Sequence, residues 1–265
     1  MQETLPEPFL DRIVEILQAD PRVLAAFLLG SHARGTADRH SDVDLWLVVE
    51  PGAEDAFLAG WPELSDRVAP SVLRQHVFGN TFLHITPDWQ RWDVSIGLPD
   101  DVPSRTRSTV KPLFDRAGLT DRLAPPGAPK APDPAKINAL TTEFLRVMGL
   151  LPVVLGRREH VVGVSGAGLL RALIVQLFLE DVAVEDRGGA LHLNALLPSE
   201  RLRALSDLPS PATTHDSVLE AHLACARLFL PAARELAART GAHWPSELED
   251  ALRRRLHTEL GVELD

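Results

Sequence analysis

The stretch FLLGSHARGTADRHSDVDLWLVV, residues 27–49, passes from an apolar segment through a polar, glycine-bearing loop into a second apolar segment. Its ends read as strands over residues 23–29 and 43–49, the second closed by Pro51-Gly52. Side chains alternate along a strand, so Asp42 and Asp44 share one face, roughly 6–7 Å apart, while Val43 and Leu45 turn to the core. Two carboxylates so placed repel each other unless something positive lies between them. A hard divalent cation such as Mg²⁺ takes one or two carboxylates together with phosphate oxygens, so a metal-bound nucleoside triphosphate is the expected filling. Gly30 lets the backbone approach a phosphate, Ser31 offers a hydroxyl and an N–H, and Arg34 can place a fork of donors on the same oxygens.

Working outward, the chemistry calls for a third carboxylate, either to complete the metal site or to take a proton from an attacking hydroxyl. Asp93 fits, because in residues 91–96 the apolar Trp92, Val94 and Ile96 alternate with Arg91, Asp93 and Ser95. In-line displacement at phosphorus follows as the expected reaction, with metal ions neutralising the departing pyrophosphate. Further strands are expected at residues 81–86 and 109–115, and helices at 8–20, 53–59 and 63–69. Trp46, on the Asp42 and Asp44 face, is expected to pack rather than to line a pocket. Asp100 and Asp101 read as turn residues.

Gly30-Ser31, ten intervening residues and then Asp42-Val43-Asp44 between apolar flanks resemble the signature of the nucleotidyltransferase (polymerase β-like) superfamily. Within it the chain is similar to small bacterial aminoglycoside and lincosamide nucleotidyltransferases and to the minimal nucleotidyltransferases. The resemblance implies that Gly30 and Ser31 bind the triphosphate. It also implies that Asp42 and Asp44 hold Mg²⁺, as a pair of ions, and that Asp93 is a third ligand or general base. ATP as donor of AMP, and a small-molecule hydroxyl as acceptor, are likewise family expectations. An aminoglycoside-type antibiotic leads among acceptors. The alternatives are a protein or tRNA acceptor, as in toxin and antitoxin relatives, and a non-catalytic nucleotide-binding module.

Composition narrows the partners. The 265 residues carry 27 basic and 37 acidic side chains, a net charge of −10, which disfavours a nucleic-acid surface and mildly favours a cationic small molecule. Cys225 is the single cysteine, so no intrachain disulfide is possible, and its expected role is packing. The acidic start MQETLPEPFLDR reads as neither signal nor anchor, and Arg157 and Arg171 break the apolar second half. A cytoplasmic protein that does not span a membrane is the expectation. The oligomeric state is not legible.

Residues 124–134, APPGAPKAPDP, hold five prolines and read as an extended linker. The fold expected is therefore an α/β nucleotidyltransferase domain with a mixed β-sheet at 1–123, the linker at 124–134, and an all-α helical bundle at 135–265 supplying acceptor specificity. Helices are expected at 137–151, 159–179, 217–240 and 246–260. Gly163-Val-Ser-Gly-Ala-Gly168 follows no strand and precedes no lysine, so it reads as a helix-packing segment. The ten histidines suggest no zinc site.

Overall fold

The computed structural model describes residues 7–264, with side chains from Phe9 onward. Residues 1–6, on which the absence of a signal was read, lie outside the described part, as does Asp265. The chain divides into two compact units, Met1–Ala128 and Pro129–Asp265. The first is a mixed-sheet α/β unit and the second is all-helical, the fold class expected from the sequence.

The first unit runs α1 (Glu7–Ala19), β1 (Val23–Leu28), α2 (Gly30–Arg34), β2 (Val43–Val49), α3 (Glu54–Val68), β3 (Leu73–Phe78), β4 (Thr81–Ile85), β5 (Arg91–Gly97) and β6 (Lys111–Asp115). The strands form one sheet in the order β3-β4-β5-β2-β1-β6. Only β2 and β5 pair in parallel; the other pairings are antiparallel. Period-2 alternation sorts the side chains. Val43, Leu45 and Leu47 of β2 join Trp92, Val94 and Ile96 of β5 on one face, under Phe9, Ile13 and Leu17 of α1 and Phe57, Trp61 and Leu64 of α3. On the opposite face Ala25 and Phe27 of β1 pack with Trp46 and Val48, closed over by Val102, Val110, Leu119 and Leu123. Asp44 and Asp93 share that second face but stand outside its apolar cluster.

Three expectations about this unit change. The helices expected at 53–59 and 63–69 are one helix, α3, with Pro62 inside it. Phe57, Trp61, Leu64 and Val68 make a continuous buried stripe that carries the helix past the hydrogen bond that proline forfeits. Leu73–Phe78 is an edge strand without apolar alternation, because most of its side chains face water, so no period marked it. Residues 109 and 110 do not enter β6; Thr109 is held in a turn by Thr106, whose carbonyl accepts from its N–H at 3.1 Å.

The second unit contains α4 (Pro134–Met148), α5 (Leu151–Gly156), α6 (His160–Glu180), α7 (Leu193–Leu196), α8 (Ser199–Ser206), α9 (His215–Thr240) and α10 (Ser246–Leu260). Asp133 caps α4, accepting from Ala135 N–H at 2.9 Å, and Pro134 takes the first helical position. The helix expected over 137–151 breaks at Gly149-Leu150 and restarts as α5. Phe144 and Phe229 stack with ring centroids 3.9 Å apart, joining α4 to α9. Gly163 lies inside α6, where a Cβ would meet Val218 Cγ1 at 2.5 Å, so the small residue lets α9 approach. Cys225 is buried in this core, and burial pushes its thiol up to about 11.

Contrary to the sequence expectation, two stretches are long and apolar enough to cross a bilayer, Pro134–Gly156 and His160–Glu180. Neither needs to run through Arg157, and a lone Arg171 does not disqualify the second. Arg171 is turned to protein, donating to the carbonyls of Leu205, Leu208 and Pro209. Most buried apolar side chains of both stretches belong to the main helical core, and Leu151 and Leu155 to a smaller cluster with Val218.

Candidate active site

The site is assembled where β1 ends and β2 begins. Leu29 N–H donates to Asp44 C=O at 2.8 Å, and the chain then turns sharply into the single turn of α2, where a loop was expected. Gly30 makes that turn at φ +57°, in the left-handed region. A Cβ at this position would also run into Asp44 Oδ2, with the carboxyl carbon at 3.3 Å. Glycine is thus required both by the backbone and by the carboxylate lying against it. Ser31 is buried, and its C=O receives Thr36 N–H at 3.0 Å, which folds the end of α2 back on itself. Arg34, in the last turn of α2, bears electrostatically on Asp44.

Asp44 and Asp93 are register partners on the parallel pair β2 and β5. Neighbouring strands lie about 4.8 Å apart, so the two carboxylates are side by side on one face. Asp42, two residues before Asp44, adds a third negative charge on that side. Burial raises the Asp44 carboxyl to about 6, helped by the charges of Asp42 and Asp93 and opposed by Arg34 and Arg91. Asp93 is raised for the same reasons, burial first and then Asp42, against Arg91. All six residues singled out in the sequence therefore converge on one end of the sheet.

Two neighbours were not singled out. Arg91 Nη2 lies 3.4 Å from Asp42 Oδ2, and the only sequence signal for it was its shared parity with Asp93. His32 lies within α2; burial lowers its pKa, partly offset by Asp42, and its Nε2 is buried with no hydrogen-bond partner. Trp46 is 2% exposed, stacked on Phe27 with centroids 5.2 Å apart and covered by Arg105, so it packs. Asp101 serves its own turn, accepting Leu98 N–H at 2.7 Å, and Asp100 pairs loosely with Arg122 at 3.5 Å.

The donor set suits a hard divalent cation: three carboxylates, two of them held less acidic than usual by burial first and then by neighbouring carboxylate charge, and a glycine that leaves room for Asp44. Among the described residues no group of three or more His, Cys, Asp or Glu is placed so that it could hold a metal ion. The residues present fit the group by their chemistry, as carboxylate oxygen donors.

Residues 10–82 match the family model described as Nucleotidyltransferase domain. The match includes Gly30, Ser31, Arg34, Asp42 and Asp44 and stops short of Asp93, so the first unit carries a nucleotidyltransferase-superfamily domain. No curated protein matches the chain. Among solved structures the chain is similar to an aminoglycoside 6-adenyltransferase from Bacillus subtilis, at 14% identity and TM-score 0.42, covering 95% of this chain and 98% of that one.

Proposed function

We propose that this protein is a Mg²⁺-dependent nucleotidyltransferase that moves a nucleoside monophosphate, AMP from ATP, onto a hydroxyl of a small molecule. The observation that carries the reading is the register pairing of Asp44 with Asp93, with Asp42 on the same side and Gly30 pressed against Asp44. The family match over residues 10–82 supports it. Asp42 and Asp44, with Asp93, are the residues that would hold the metal, which when bound neutralises the triphosphate and the departing pyrophosphate. Gly30 leaves room for the Asp44 carboxylate at the backbone, and Ser31 would offer the phosphates its N–H and hydroxyl and Arg34 a fork of donors. The acceptor oxygen forms a bond to the α-phosphorus as the bond to pyrophosphate breaks, and Asp93 takes the hydroxyl proton.

For the acceptor, an aminoglycoside-type antibiotic leads. A chain of net charge −10 draws cations and repels polyphosphate backbones, which sets a tRNA acceptor lower. We place the protein in the cytoplasm, where ATP and Mg²⁺ are plentiful. The test is pyrophosphate release by the purified chain with Mg²⁺ and each nucleoside triphosphate, against aminoglycosides and lincosamides, with Asp93→Asn as the blank. Release that requires one antibiotic and vanishes in the variant is expected. Triphosphate binding without stimulation by any panel member redirects the search to protein or RNA acceptors, and no nucleotide binding at all defeats the enzyme reading.

A further inference from the structure

One cation bears on all three carboxylates. Arg91 opens β5 two residues before Asp93, on the same face, and contacts Asp42 at 3.4 Å. Its charge also opposes the upward shifts of both Asp44 and Asp93. The contact is long and wet, with side chains 39% and 36% exposed. Exposed ion pairs of this kind contribute about 0–1 kcal/mol, so the pair exchanges easily. Arginines that fix this protein's fold look different: Arg187 reaches Glu180 at 2.7 Å and also donates to the carbonyls of Lys130, Ala131 and Val182.

We propose that Arg91 is the resident counter-cation of the carboxylate cluster, holding Asp42 while no metal is bound and yielding it on metal loading. The inference rests on the metal-triphosphate reading above. Three carboxylates on one face repel one another, and a tethered guanidinium offsets part of that repulsion while competing with a divalent cation for the same oxygens. Metal uptake and release of Arg91 are then a single exchange. The freed guanidinium remains on the carboxylate face with a donor geometry suited to phosphate oxygens. Arg91 acts through Asp42 and is a positioning residue.

The test is calorimetric titration of the full chain with Mn²⁺, to millimolar concentration and without nucleotide, for wild type, Arg91→Met, Arg91→Lys and Asp44→Asn, with thermal melts in chelator and in saturating Mn²⁺. Removing the competitor is expected to tighten Mn²⁺ binding by about two- to fivefold, the worth of an exposed ion pair. Arg91→Met should melt below wild type in chelator and recover most of that gap with Mn²⁺, and Arg91→Lys should return binding toward wild type. Unchanged or weaker Mn²⁺ binding in Arg91→Met, with a lower melt in both buffers, overturns the proposal and leaves the metal site standing. Absence of Mn²⁺ binding in every form, or binding that survives Asp44→Asn, overturns the metal-triphosphate reading along with it.

Discussion

Two acids, the buried Glu180 of the helical unit and the half-buried Asp44 of the α/β unit, meet opposite fates. Glu180, at the end of α6, is 1% exposed and is paired with Lys136 and Arg187, each at 2.7 Å. It also accepts Asp133 N–H at 2.8 Å. Burial pushes its carboxyl up, but the bonds from Lys136, Asp133 and Arg187 outweigh burial and hold it below its ordinary value. Asp44, in β2, is raised to about 6 by burial first and then by the charges of Asp42 and Asp93, which Arg34 and Arg91 only partly oppose. Around Glu180 the fold supplies cations that close the charge; around Asp44 it leaves charge open. An acid paired within the fold is costly to unpair, and an acid left unneutralised weakens the fold while keeping a place for an external cation.

The largest effect expected from breaking this contrast is at Glu180. Glu180→Gln leaves Arg187 and Lys136 without their counter-charge, and the loss is expected to be about 2–4 kcal/mol, since removing one partner strands the other. Arg187 also ties residues 130 and 131 to the end of α6. The variant should therefore lower the melting temperature and speed amide exchange in residues 129–134. A Glu180→Gln protein that melts like wild type would show that the network adds nothing to stability.

A second, smaller effect is expected at Gly30. Gly30→Ala must hold a left-handed φ, which costs about 1–3 kcal/mol for a non-glycine residue, and must also push Asp44 aside. Gly35 is an internal control: its φ is +70°, and a Cβ there meets nothing within 4 Å. Gly35→Ala should show the backbone cost alone. Urea melts of both variants give the carboxylate contact as the difference. Equal losses would mean that Asp44 moves away without cost, and the close approach would lose its meaning.

The sequence made one side of this contrast far more legible than the other. β2 follows from an apolar run between glycine-bearing punctuation, the facing of Asp42 and Asp44 from the two-residue period of a strand, and Asp93 from the apolar–polar alternation on β5. Local rules suffice where the chemistry lies on two strands read residue by residue. Arg91 obeyed that rule too, yet nothing local distinguishes a cation that meets Asp42 from one that meets water, because the contact depends on strand order. The Glu180 network draws on Lys136 and Arg187, on separate parts of the chain, and left no periodic trace. β3 was invisible because an exposed edge strand has no buried face to impose a period, and α3 read as two helices because Pro62 is a strong local stop that tertiary packing overrode.

The smallest and most diagnostic effect lies at Asp44, where the sign is opposite to that at Glu180. A carboxyl raised in the folded state to about 6, from an ordinary value of 3.8, favours the fold while protonated. Its contribution is complete below about pH 4 and is lost as pH rises through 6. The lowered Glu180 does the reverse: its stabilisation is present above its ordinary 4.5 and fades as pH falls below that value. Asp44→Asn removes the first dependence and leaves the second. In chelator the variant should be more stable than wild type by about 1–2 kcal/mol at pH 8, after allowing for solvent screening, and the advantage should shrink toward zero at pH 4. Saturating Mg²⁺ should shrink it at pH 8 as well, because the metal stabilises only the wild type. A variant less stable than wild type at pH 8 in chelator would mean that Asp44 is neutralised within the fold, as Glu180 is. The two acids would then belong to one class, and the case for an external cation on this face would fall with the distinction between them.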